Sequence, residues 1–274
     1  MKRFTIFLFC LFLSACSDDN FKKVYKLQNL RVIAITAGKQ GTLTQAEFAP
    51  GDTATLEAFV SDIDSGRTIT AVIATCSDLG VSYGREPTCD NVADKITYAD
   101  ITLNTGGVAG NTGAMPTFDV TIPATVLLGR SAADQFNGVN YLVTMKFSTS
   151  DGETVKAFKR LTVTTRATKN SNPSIGSIVI DNSSFATYPG AGDFSLSASS
   201  SEETYDFQSA NGSISNLSEE MNVAWYVSDG EINFPVTGRT GLTHFKPGDK
   251  GILVVAAVIR DGRGGMAVTI KKVP

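Results

Sequence analysis

Short runs in which polar and apolar residues alternate, each closed by Gly, Asn, Asp or Pro, constrain this chain more than any other feature. A period of two places one side of a segment in a core and the other in water, the geometry of a half-buried strand. Thr53 to Val60 (TATLEAFV) shows it, with Thr53, Thr55 and Glu57 alternating with small or apolar residues. Leu30 to Thr36, Thr68 to Thr75, Lys95 to Leu103, Thr117 to Ile122, Val139 to Ser148 and Thr154 to Thr164 read as further short strands. Between the last two, Ser150-Asp151-Gly152-Glu153 is a hairpin turn, its Asp-Gly pair supplying the positive φ that a tight turn needs. Only Ala124 to Phe136 has room for a helical turn or two. The pattern predicts an all-β sandwich rather than an α/β fold.

Arg166 to Pro173 (RATKNSNP) lacks apolar periodicity and reads, over 167–173, as a linker where few contacts cross. Strands resume at Ser174 to Ile180 and Phe194 to Ser197, while the Ser/Glu/Asn-rich Ser199 to Leu217 reads as a variable loop. Met221 to Val227 leads to the turn Ser228-Asp229-Gly230-Glu231. Gly251 to Arg260 (GILVVAAVIR), the most hydrophobic strand downstream of the leader, turns at Asp261-Gly262-Arg263-Gly264-Gly265 into Met266 to Val273. The chain thus divides into a sandwich over 28–166 and another over 174–274, without a fixed repeat.

The N-terminus carries an address. Lys2 and Arg3 precede the apolar run Phe4 to Leu13, and Leu13-Ser14-Ala15-Cys16 follows. A basic start, an h-region of this length and small residues before a cleavage point form a secretory signal, too short to span a bilayer. The cysteine after Leu-Ser-Ala resembles the lipobox of bacterial lipoproteins. That resemblance implies removal of 1–15, lipidation of Cys16, and a polar tether over 16–27 (Ser17 to Lys26 being SDDNFKKVYK). In diderm members of that family an aspartate directly after the cysteine favours inner-membrane retention. Ser17 stands there, so the resemblance implies the outer membrane, with more than one acyl chain for firm attachment.

Charge and cysteines agree with export. Losing Lys2 and Arg3 with the leader changes 24 basic residues against 27 acidic ones to 22 against 27, a net charge of −5. A mildly acidic chain without a basic block is not a nucleic-acid binder. Once Cys10 leaves and Cys16 is acylated, Cys76 and Cys89 remain as one even pair. In an oxidising compartment they read as a disulfide worth about 3 kcal/mol. A metal or redox pair is the alternative, without a CxxC or a nearby histidine to support it.

In the second half, Trp225-Tyr226-Val227-Ser228-Asp229-Gly230, then His244-Phe245-Lys246-Pro247-Gly248, then the strand into Arg260-Asp261-Gly262-Arg263-Gly264-Gly265 is similar in order and spacing to PKD and cadherin-like modules. That resemblance covers about 172–274 and implies an immunoglobulin-like sandwich with Trp225 in its core. The whole chain is then two immunoglobulin-like β-sandwiches in series after a cleaved signal peptide. The first half, with Leu30 to Ala34 and Ala49-Pro50-Gly51-Asp52, resembles Gram-negative lipoproteins of unassigned function. The family serves spacing, adhesion and binding, so fold alone does not assign an activity.

Catalytic constellations are scarce. A Ser-His-Asp or Cys-His nucleophile would have to use His244, the single histidine, and no Gly-x-Ser-x-Gly elbow supplies a serine. No phosphate or dinucleotide fingerprint follows a strand. An acid-pair hydrolase needs only two carboxylates, and the sequence nominates no pair. Calcium has a local argument: Asp62 and Asp64 stand on alternate residues beside Gly66, and Asp261 could imitate a cadherin ligand. Asp-Gly pairs serve hairpins regardless. Arg260 and Arg263 read as solvated, and Tyr83, Tyr98, Tyr188 and Tyr205 as exposed loop aromatics. The expectation is a membrane-anchored, non-catalytic envelope protein that recognises a protein or glycan partner at the surface. The alternative is a periplasmic scaffolding subunit that binds another envelope protein.

Overall fold

A computed structural model describes residues 24–27, 29–62, 67–80, 86–104 and 111–274. The leader, Cys16, Asp64 and Tyr83 lie outside the described residues. The chain is all-β, with one short helix among the described residues.

The first sandwich contains β1 (Arg31–Lys39), β2 (Glu47–Phe48), β3 (Thr53–Asp62), β4 (Thr68–Ser77), β5 (Ile96–Thr97), β6 (Ile101–Asn104), β7 (Asn111–Ala114) and β8 (Phe118–Thr121). It is completed by α1 (Ala132–Asn137), β9 (Val139–Thr149) and β10 (Thr154–Val163). One sheet runs β1-β3-β7, with β8 also on β3; the other runs β2-β10-β9-β4-β5, with β6 also on β4. The alternation sorts side chains as expected: Ala54, Leu56, Ala58 and Val60 of β3 meet Tyr141, Val143, Met145 and Phe147 of β9 in one core. Gly152, at φ 95°, lets β9 turn into β10, and its N–H reaches the Thr149 carbonyl at 3.0 Å.

The second sandwich pairs β11 (Ile178–Ile180), β12 (Gly192–Leu196), β18 (Thr243–Lys246) and β16 (Glu231–Ile232) in one sheet. Its other sheet orders β17 (Val236–Gly238), β15 (Asn222–Val227), β19 (Leu253–Arg260) and β20 (Met266–Val273). Trp225 is buried against Phe194, with ring centroids 6.4 Å apart, and its Nε1–H donates to Thr237 Oγ1 at 3.1 Å. A buried indole with a satisfied N–H is a core residue.

The segment expected to be a variable loop holds a hairpin, β13 (Thr204–Gln208) and β14 (Ile214–Ser218). Its Ser and Asn content reads as loop, yet Tyr205 and Phe207 alternate as in a strand and Gly212 turns the chain back so that β14 pairs with it. The 167–173 segment also differs from expectation, because contacts cross it densely. Asn170 is buried, and Asn172 donates to the Ala37 carbonyl at 2.8 Å while accepting from the Met266 N–H at 2.9 Å. Amide side chains give the segment a linker's polarity, yet here they satisfy strand edges of both sandwiches.

The two sandwiches, consecutive in sequence, lie side by side. Ile33 and Ala34 of β1 and Phe59 of β3 pack on Val254, Ala256 and Val258 of β19, with Leu27 in the same layer. A bulge in β1 makes this possible: pairing shifts between Val32 and Ala34, so Ile33 and Ala34 both face outward while Ile35 returns to its own core. On β19, Leu253, Val255, Ala257 and Ile259 serve one core and the intervening residues serve the shared layer. A strand buried on both faces reads as a continuous apolar run, which is why GILVVAAVIR stood out.

Candidate functional site

The turn after β19 builds the densest polar cluster at the junction. Asp261 Oδ1 accepts the N–H groups of Arg263 and Gly265 at 2.8 and 2.9 Å, and Oδ2 accepts the Asn170 amide at 2.7 Å. A β-carbon on Gly265 would run into the Asp261 carboxylate, so the turn admits no side chain there. The turn directs Arg263 inward. Its guanidinium donates to Glu219 at 3.0 Å and to Glu47 at 2.8 Å and lies 4.2 Å from the Tyr205 ring centroid. Arg166 approaches Glu47 at 3.4 Å and also stands by the Tyr205 ring, at 5.8 Å. Arg263 is therefore not solvated, as its turn position suggested, but closes an ion network between the sandwiches.

The hairpin covers this network. Asn137, at the end of α1, makes a reciprocal pair with Gln208: Nδ2–H to the carbonyl at 2.7 Å, and Gln208 N–H to Oδ1 at 2.8 Å. Arg166 donates to the Asp206 carbonyl at 3.3 Å. The Glu47 and Glu219 side chains are each only 1% exposed. Burial raises the Glu219 pKa and lowers that of Arg166, both moving toward the neutral form. Lys159, which donates to the Gly264 carbonyl at 2.6 Å, is pulled down to about 8 by burial.

Two clefts, of about 350 and 410 Å³, flank Arg166, Tyr205 and Arg263. The larger is rimmed by Asn140, Arg160 and Phe207, the last 40% exposed. Arg160 donates through Nε to Asp78 at 2.5 Å, but its buried Nη2 has no partner among the described residues.

The residues expected to bind calcium separate. Asp62 is paired with Arg67, which also reaches Asp151 at 3.0 Å and Glu153 at 2.9 Å. Asp261 sits beside Lys159, six residues farther along β10 than Glu153, which is about 20 Å at strand rise. Among the described residues no cluster of three His, Cys, Asp or Glu side chains could hold a metal. Cys76 and Cys89 form a disulfide with Cα atoms 5.6 Å apart. Tyr205 and Tyr188 are not free loop aromatics: one is covered by arginines, and the other donates to Asp229 at 2.8 Å. Tyr98 packs against the first core. His244 Nδ1 lies 2.8 Å from Asp193 on the surface. Sequence reasoning missed Glu47, Arg166, Glu219 and the Tyr205 contact; the one local signal was the alternation in TYDFQ.

No protein-family model matches the chain, and no curated protein matches it. Among solved structures it is similar to a red sea bream transglutaminase, at 11% identity and TM-score 0.29, over 90% of this chain and 31% of that one. It is also similar to dimeric latent PorU from Porphyromonas gingivalis, at 11% identity and TM-score 0.25, over 89% and 24%. A Salmonella alpha-2-macroglobulin reacted with methylamine matches at 10% identity and TM-score 0.25, over 93% and 17%. The chain spans less than a third of the length of each. Likenesses this distant bear on neither activity nor partner.

Proposed function

We propose that this chain is a lipid-anchored envelope protein acting as a rigid, non-catalytic recognition module. Its ligand-facing surface is the cleft rimmed by Asn140, Arg160 and Phe207. The observation that carries the reading is the Arg160 guanidinium, one quarter exposed on the rim of that cleft and anchored to Asp78 through Nε. A guanidinium held at one end and partly exposed at the other presents charge-assisted N–H donors to an acceptor oxygen of a protein or glycan ligand. The neighbouring charges speak for binding rather than proton transfer. Arg263 holds both Glu47 and Glu219, and Glu219 lines neither cleft, so these two acids are tied up in an ion pair rather than facing a substrate together.

The lipobox at Leu13 to Cys16 supports the envelope address, with the outer membrane favoured by Ser17. A surface position is tested by protease treatment of intact cells and blotting for the chain after Cys16. Loss of signal without lysis supports surface recognition; protection until the outer membrane is broken sinks it. In the first case, binding to a panel of acidic and neutral glycans should fall at least tenfold in Arg160→Ala.

A second reading, a periplasmic scaffolding subunit, is favoured by β14. Ile214 to Ser218 is exposed, uncharged and, among the described residues, paired only on its β13 side, an open edge to which a partner strand can add. Protection in the shaving experiment would support it.

A further inference from the structure

The first domain in sequence is not the first to leave the anchor. Val227 at the end of β15 captures the incoming chain: the Leu27 N–H reaches the Val227 carbonyl at 2.8 Å, and the Val227 N–H reaches the Tyr25 carbonyl at 2.9 Å. Lys26 forms a parallel bridge to Val227, Leu27 is buried in the layer between the sandwiches, and Arg31 donates to the Val24 carbonyl. The segment before the N-terminal sandwich is therefore bridged to an edge of the C-terminal one.

We infer that the end of the molecule carrying Val24, Ser228 to Gly230 and Lys246 to Ile252 rests on the phosphate headgroups of the bilayer that holds the Cys16 acyl chains, with the Arg160–Arg263 cleft pointing away. The inference rests on the lipid-anchor reading. From Cys16 to Val24 the covalent chain can span at most about 28 Å. β19 then carries eight residues from Leu253, beside the captured segment, to Arg260, beside the cleft, about 23 Å farther out. β1 runs the same way, from Arg31 near Val24 to Ala37 near Asn172. The tethered end exposes Val24 (70%) and Ile252 (45%). Around them stand Lys26, Lys246, Lys250 and Lys272 against Glu231, Asp249 and Asp229, the last bonded to Tyr188 and the Lys250 N–H and electrostatically coupled to Lys26. An excess of ammonium groups beside two apolar side chains fits a phosphate headgroup surface.

The test couples the chain beginning at Cys16, through that thiol, to a maleimide lipid in phosphatidylethanolamine–phosphatidylglycerol vesicles, so that it does not depend on acylation in the cell. A donor fluorophore is placed by an unnatural amino acid at Lys250 or at Asn211, the hairpin tip on the cleft side, and the acceptor sits on a headgroup. Transfer several-fold higher from position 250 than from 211 is expected; equal or reversed transfer overturns the orientation. Failure of the lipid reading shows up separately, as an unacylated Cys16 in the intact mass of protein extracted from cells.

Discussion

The Lys159 ammonium lies 2.6 Å from the carbonyl oxygen of Gly264, so a charge on β10 of one sandwich closes the last turn of the other. It belongs to a band that includes Asp261, Asn170, Glu47, Arg263 and Glu219, most of it shut off from water. This band and the apolar layer around Leu27, Ile33 and Val254 hold the sandwiches as one body.

Lys159 should give stability an unusual pH dependence. Burial lowers its folded-state pKa from the ordinary 10.5 to about 8. Below pH 8 both states are protonated and the folded state carries the whole cost, about 3 kcal/mol. Between pH 8 and 10 the unfolded chain binds the proton that the folded chain has lost, so stability rises with pH. Urea unfolding at pH 7.5, 9 and 10 should show the rise in the native chain and a flatter profile in Lys159→Met. Equal profiles would remove this assignment.

Arg263→Ala leaves Glu47 and Glu219 buried with less compensation, which costs about 3–5 kcal/mol. Adding Glu219→Gln to Arg263→Ala should recover part of the loss, since a neutral amide is cheaper to bury. A single-mutant loss below about 1 kcal/mol in denaturant melts would show that the network is not the lock described here.

The Cys76–Cys89 disulfide closes a loop of 13 residues and packs against Ala74 and Leu142. Replacing both cysteines by alanine should cost about 3 kcal/mol by the loop-entropy account. Thermal melts of the double variant check the size, and non-reducing peptide mapping checks the pairing.

The two sandwiches should unfold together. Trp225 fluorescence reports the second core, and hydrogen exchange at the Val143 and Met145 amides reports the first. Coincident urea midpoints are expected in the native chain. Ala256→Glu, which buries an unpaired carboxylate in the shared layer, should cost several kcal/mol and split the midpoints. Separate midpoints in the native chain would refute the one-body description.

Some of this was legible beforehand. The alternation in TATLEAFV, the Asp151-Gly152 turn and the unbroken apolar run of β19 each carry their geometry within a few neighbouring residues. The hairpin at Thr204 to Ser218 was hidden because serines diluted its alternation. Asn170 and Asn172 were hidden because amides have the same polarity whether they face water or stitch two sheets.

By itself the sequence determined the class of structure: strands of period two, turns where glycine relieves the backbone, and a cysteine pair. Only the tertiary structure decided which charges are buried and against what. Glu47 and Arg263 meet across 216 residues of chain. No local pattern encodes that meeting, because a charged side chain looks the same in sequence whether water or an opposite charge solvates it. The bridge of Tyr25 to Leu27 onto Val227 is decided in the same way, by the partner edge that Val227 offers rather than by its own composition.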